Sequence, residues 1–252
     1  FVARIDFLGT GNAFSPPGRM HALILLDGHV LVDTPPTVLF QRQRTEASPA
    51  DIEHLLFTHW HADHTFGFPF LLLERQHVSD PDSTRALSVH LRPGGRDILG
   101  LLCRMGFPGS LDAALEGRMN WSESESGELV GTEWSFERFP VCHTPETDPH
   151  GYELVHSSGF RLLHCGDSGP CDEIEQRAAN AIEAVNLVAG VLGRRIERYK
   201  SRTYRSERAR QVVPLGAQQA EDDSRLPADD GIEILVADHL VRVQRFNKNS
   251  CL

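Results

Sequence analysis

Short apolar runs divided by turn residues make up the first sixty positions of the chain. Arg4-Ile5-Asp6-Phe7-Leu8 alternates polar with apolar side chains, the period of a strand with one buried face, and ends in the turn Gly9-Thr10-Gly11-Asn12. Leu23-Ile24-Leu25-Leu26 and Val30-Leu31-Val32 flank Asp27-Gly28, a pair that accepts the positive φ of a tight hairpin, and Asp33 caps the second run before Pro35-Pro36. Positions 37–44 read as a short helix, Ser48-Pro49 as a loop, and Asp51-Ile52-Glu53 leads into a strand around Leu55-Leu56-Phe57.

Beyond it the apolar wall 66–73 could floor a substrate pocket, but packing beneath residues 58–64 is the preferred reading. Positions 86–91 are a strand closed by Arg92-Pro93-Gly94-Gly95, and 97–105 have helical spacing. Residues 108–128, rich in Gly, Ser and Glu around an isolated Trp121, read as a solvated segment. Two short strands are expected around Gly131-Thr132, a hairpin over 153–164, a helix over 172–191, and a last strand over 231–240.

Composition narrows the class. The 252 residues, 40% of them hydrophobic and 8% aromatic, suffice for one domain spanning the whole chain, with 194–230 as an irregular or exposed segment. No apolar run approaches the roughly 20 residues that span a bilayer, and the start runs into a strand without a signal-peptide profile, so a cytoplasmic protein with no membrane partner is expected. Five irregularly spaced cysteines do not form a disulfide framework. A net charge of −10 argues against broad nucleic-acid binding. The exception is local: between Arg194 and Arg210 eight basic residues face two acidic ones, with Tyr199 and Tyr204 interleaved. Such a segment could hold RNA, but an exposed insertion is the preferred reading.

The chemistry concentrates in Thr58-His59-Trp60-His61-Ala62-Asp63-His64, where three imidazoles and a carboxylate fall within six positions. These are ligands for zinc, iron or manganese. His59 and His61 stand two apart, which puts both on one side of extended backbone, and Asp63 and His64, adjacent in sequence, can reach a second ion. A zinc held by His59 and His61 alone is short of ligands. His143, in His-Thr-Pro after an extended segment, is the preferred third, with His150 and His164 as rivals.

The stretch resembles the His-x-His-x-Asp-His signature of the metallo-β-lactamase superfamily. The opening strand with Gly9-Thr10-Gly11 and the hairpin ending at Asp33 resemble its ribonuclease Z-like and cyclic-nucleotide phosphodiesterase branch. The resemblance implies an α/β, four-layer αββα fold with two mixed β-sheets sandwiched between helices. Gly166-Asp167-Ser168 resembles the element whose aspartate bridges two ions, and His239 resembles the terminal histidine of the family. By carry-over, one ion falls to His59, His61, His143 and Asp167, and the other to Asp63, His64, Asp167 and His239. Two divalent cations are implied, zinc first, with manganese or iron as alternatives.

The implied activity is hydrolysis of a small-molecule or nucleotide phosphodiester by a hydroxide held between the ions, with Asp63 orienting it and His239 serving the leaving group. A lactone, thioester, β-lactam or sulfate ester would use the same site, and a metal-binding protein without turnover is the reading outside catalysis. A homodimer is compatible with either. The long arm that ribonuclease Z inserts between the positions of His143 and Asp167 is replaced here by a hairpin. The extra histidine that ribonuclease Z carries ahead of its last strand is replaced by Leu215-Gly216-Ala217-Gln218-Gln219.

Overall fold

The computed structural model describes residues 3–15, 17–180, 184–187, 231–237 and 240–246. Its strands are β1 (Arg4–Gly9), β2 (Leu23–Leu26), β3 (Val30–Val32), β4 (His54–Leu56), β5 (Leu87–His90), β6 (Met119–Ser122), β7 (Ser126–Glu128), β8 (Trp134–Pro140), β9 (His150–His156), β10 (Arg161–His164), β11 (Ala184–Leu187), β12 (Gly231–Ala237) and β13 (Leu240–Phe246). The helices are α1 (Val38–Arg42), α2 (Ala62–Thr65), α3 (Phe68–Glu74), α4 (Gly95–Gly106), α5 (Asp112–Gly117) and α6 (Asp172–Asn180).

Two sheets result, one in the order β13-β12-β1-β2-β3-β4-β5-β6 and the other β11-β10-β9-β8-β7. The alternation of each strand sorts its side chains into layers. Ile5, Phe7, Ile24, Leu26, Val30, Val32 and Leu56 meet Trp134, Phe136, Tyr152, Leu154 and Leu162 between the sheets. Their neighbours Leu23, Leu25, Leu31, Leu55 and Phe57 point the other way, into a second cluster with Val38, Phe68, Leu71 and Leu99 of the helices. On the far face of the second sheet Phe139, Leu163 and Cys165 pack on Cys171 and Ile174, at and just before α6. Helix, sheet, sheet, helix is the four-layer αββα order expected from the sequence, each layer closing a face that its neighbour leaves apolar.

The hairpin forms as the Asp-Gly pair requires, with Asp27 at φ 48° and Gly28 at φ 81° and Leu26 opposite Val30. From β3 to β6 all neighbours are parallel, so their carboxyl ends line up along one edge of the sandwich. That edge is where α/β sheets gather ligand-binding loops.

Two expectations are corrected. Residues 108–128 are not a solvated segment: Leu111, just before α5, and Ala114 and Leu115 on it are buried, and Trp121 sits on β6, half-buried against the helix-side cluster. The polar residues there mask a short amphipathic helix and an edge strand. The helix expected over 172–191 ends at Asn180, and Ala184–Leu187 pairs in parallel with β10 instead. Ala184, Val185 and Leu187 are as apolar as a helix core, but β-pairing with an open sheet edge takes them. The first strand around Gly131-Thr132 lies slightly earlier, at β7. The wall at 66–73 divides: Phe68, Leu71 and Leu72 are buried as packing residues, whereas Phe66 and Phe70 are exposed.

Candidate metal centre

The loop after β4 carries the motif to the carboxyl edge of the first sheet. His59 and His61 precede α2 in extended backbone, and His61 occupies its N-cap with φ −69° and ψ 152°. Asp63 and His64 then fall in the first turn of α2, turned towards a different partner set. From the second sheet, the loop between β8 and β9 brings His143, and the loop after β10 brings Asp167. Trp60 N–H donates to the Thr147 carbonyl and His150 N–H to the Thr58 carbonyl, tying the two sheets together beneath the site.

The side chains converge in two groups. The ligating atoms of His59, His61, His143 and Asp167 lie within 4.8 Å of one another, and so do those of Asp63, His64 and Asp167. Asp167 belongs to both. His59 Nε2 and His143 Nε2 each approach His61 Nδ1 to 3.0 Å. His64 Nε2 stands 3.5 Å from both Asp63 Oδ2 and Asp167 Oδ1. His150 and His164, the rivals of His143, are buried outside both groups; His150 Nε2 lies 3.2 Å from the Tyr152 hydroxyl.

A residue read from sequence only as a strand cap organises the second group. Asp33, at φ 67° and almost wholly buried, accepts from Thr58 N–H at Oδ1 and from the Thr58 hydroxyl at Oδ2, both at 2.8 Å. Its Oδ2 also lies 2.7 Å from His64 Nδ1. These bonds fix the tautomers. The single Thr58 hydroxyl proton goes to Asp33, so His59 must donate its Nδ1–H to Thr58 Oγ1 across 3.0 Å, leaving Nε2 as a lone pair aimed into the site. Likewise His64 donates Nδ1–H to Asp33, and its Nε2 faces Asp63 and Asp167. The only sequence signal for Asp33 was a carboxylate where an apolar strand stops.

The charges reinforce this arrangement. Burial, with His64 beside it, lowers His59 to about 3, so its imidazole is neutral. Burial opposes a charge on His64 as well, but Asp33 and Asp167 outweigh it and raise His64 to about 10. Asp33 and Asp167 are lowered, burial being overcome by His64 in both. Burial also lowers His143. Two buried carboxylates therefore lean on one imidazolium, while Asp167 Oδ1 makes no hydrogen bond among the described residues. A cation fits this donor set: it would take the place of the His64 Nε2 proton and satisfy the orphaned oxygen, and neutral imidazole with carboxylate is zinc, iron or manganese chemistry.

His239 and the basic residues 194–210 lie outside the described residues. Strand β12 ends at Ala237, and its Leu235 pairs with Arg4 at the start of β1, whereas Asp33 follows Val32 near the other end of that strand.

Two sheets flanked by helices, with His and Asp donors gathered at one edge, define a metallo-β-lactamase fold protein. The same class includes a Bacillus subtilis metallo-β-lactamase fold protein, whose crystal structure matches with a TM-score of 0.60 at 13% identity over 74% of this chain and 72% of that one. Residues 3–167 match the model of a family described as "Anti-Pycsar protein Apyc1", and the chain belongs to that family. An uncharacterised protein of Mycobacterium tuberculosis is 30% identical over 69% of this chain. A ribonuclease Z of Pyrobaculum islandicum is 36% identical over 69% of this chain and 68% of its own length. The chain spans 63% of the length of the mycobacterial relative. Among the described residues no helix is long and apolar enough to cross a membrane.

Proposed function

We propose that the chain is a two-metal hydrolase of phosphodiesters. The observation that carries this reading is the position of Asp167, whose carboxylate belongs to both ligand groups and has the two oxygens that a bridging ligand needs. Two divalent ions so bridged would lower the pKa of a water to about 7 and stabilise the attacking and leaving oxygens of a displacement at phosphorus.

The chain's own residues prepare that chemistry. His59, His61 and His143 bring ring nitrogens together with Asp167 in one group, the His59 imidazole being neutral. Thr58 holds the His59 ring with Nε2 bare, and Asp33 takes the His64 Nδ1–H so that Nε2 faces the second group, where a cation would replace its proton. Asp63, on the first turn of α2, would orient the nucleophile beside His64. The preference for phosphorus over a carboxyl ester follows the likeness to a ribonuclease Z; zinc follows the donor set.

The test is hydrolysis of bis(p-nitrophenyl) phosphate by protein reconstituted with zinc or manganese, with metal measured on the same sample. Metal-dependent turnover with about two ions per chain is expected. Two bound ions with turnover of a lactone or thioester and none of the diester would overturn the substrate class, and one ion per chain would overturn the bridging role of Asp167.

A further inference from the structure

Apart from the metal ligands, a second group of polar side chains, Arg138, His90 and His54, is buried in the fold. Along β8 the side chains Trp134 and Phe136 enter the apolar layer between the sheets, and Arg138 is the next residue on that face. It is 5% exposed. Its Nε donates to the Tyr152 hydroxyl at 3.3 Å, and its guanidinium lies 5.8 Å from the centre of the Phe136 ring and 5.7 Å from that of Tyr152. Nη1 and Nη2 are fully buried and have no hydrogen-bond partner among the described residues. Four N–H donors of a permanent cation are thus left to two aromatic rings. A buried guanidinium with neither carboxylate nor full hydrogen bonding is expensive, and proteins keep one where something else completes it.

An unfilled acceptor sits on the same aromatic ring. The His90 ring centre lies 5.0 Å from that of Phe136, and its Nε2 lies 3.0 Å from His54 Nδ1. His54 Nε2 is 3.0 Å from the Val130 carbonyl, which can only accept, so Nε2 carries the His54 proton and Nδ1 is bare. His90 must then donate from Nε2. Burial, with His54 and the Arg138 charge nearby, lowers His90 to about 3, so the ring is neutral and its Nδ1 is a lone pair, buried and without a partner among the described residues.

An ion-paired strap lies close by: Arg92 bridges Glu125 Oε1 at 2.7 Å and Asp148 Oδ2 at 3.0 Å, which engages the Glu125 carboxylate. The Glu125 carbonyl accepts from Arg138 N–H, which ties this strap to the strand that carries the buried guanidinium.

We propose that Arg138 and His90 form a buried site for a small oxyanion that still carries one proton, the chemistry of hydrogen phosphate, bound between the sheets and apart from the metal ligands. The anion's bare oxygens accept from Arg138 Nη1 and Nη2, and its O–H donates to His90 Nδ1. A fully deprotonated oxyanion would set a lone pair against His90, and a neutral ligand would leave the guanidinium charge unbalanced. The Arg92 strap opens to admit the ion and then reforms.

The experiment uses metal-loaded full-length protein and inorganic phosphate, with chloride at equal ionic strength as the reference. Phosphate should raise the melting temperature saturably in the wild type and in His61→Ala, which impairs the metal centre, and fail to do so in Arg138→Gln. A rise that persists undiminished in Arg138→Gln, or that disappears in His61→Ala, would place the phosphate on the metals and overturn the site. Because Arg138→Gln could fail to fold, crystals of the wild-type protein grown with and without phosphate supply the second reading. Tetrahedral density within hydrogen-bonding distance of Arg138 Nη1 and Nη2 supports the proposal, and water alone in that place overturns it.

Discussion

Asp33 Oδ2 lies 2.7 Å from His64 Nδ1, and the same carboxylate holds both the backbone and the hydroxyl of Thr58, the residue that begins the motif. One buried side chain thus sets a ring in each ligand group, His64 directly and His59 through the Thr58 hydroxyl. Outer partners of this kind contribute roughly 10–100-fold to metal affinity or activity. Asp33→Asn keeps the size of the side chain and suits the positive φ, but it weakens acceptance from His64. We expect diesterase activity and metal affinity to fall together by about that factor, with far-UV circular dichroism unchanged. Activity equal to wild type at limiting metal would show that Asp33 only caps a strand.

Asp167 and Asp63 should separate in their effects. Asp63 belongs to one group and Asp167 to both, so Asp63→Ala is expected to leave one ion bound and Asp167→Ala to compromise both positions. Both variants should lose more activity than the roughly 10–100-fold typical of an outer partner. Atomic emission on the purified proteins tests the difference: equal metal content in the two variants would mean that Asp167 does not bridge.

The close seat of α2 and α3 against the strand ends depends on Gly67. A Cβ there would stand 2.0 Å from the Pro35 carbonyl oxygen and 2.7 Å from Val38 Cγ1. The first contact is backbone and cannot turn aside, and Gly67 N–H donates to the Thr34 carbonyl in the same corner. Gly67→Ala should therefore cost about 1–3 kcal/mol as overpacking does and shift the neighbouring loop of ligands. Urea denaturation with a parallel rate measurement checks it, and an unchanged midpoint would refute the close contact.

What the sequence revealed divides along a physical line. The hairpin at Asp27-Gly28, the strand before the motif and the residues His59, His61, Asp63 and His64 were readable because local geometry alone decides them. Asp167 needed the family resemblance, and His143 stood ahead of His150 and His164 only by its place after an extended segment, since 24 positions separate it from Asp167 and no period links the two. Asp33 was visible as a residue but not as a partner: nothing in the first hairpin states that it ends beside residue 64. Trp121 and its surroundings misled for the opposite reason, because edge strands and short helices keep so many polar residues that they read as solvent-exposed chain. The apolar residues 184–187 continued a helical pattern that an open sheet edge then claimed.

Acid should destabilise the fold well before its carboxylates titrate. His90, His150 and His164 are buried, at 6%, 5% and 3% exposure, and burial lowers them to about 3, about 4 and about 4. In the unfolded chain each titrates near 6.5. The folded state therefore binds fewer protons than the unfolded one throughout the window from 6.5 down to about 4, and stability is full above 6.5 and falls as pH drops through that window. By pH 5.5 each group has withdrawn about 1.4 kcal/mol, so the three together remove on the order of 4 kcal/mol. His59, also lowered by burial, acts in the same direction, whereas His64, raised to about 10 and protonated in the fold throughout, opposes them by about 1.4 kcal/mol over this window. Measuring urea unfolding at pH 7.5, 6.5 and 5.5 with chelator present throughout isolates this from metal release. A free energy that stays level across those three points would mean that these imidazoles are not held neutral in the fold.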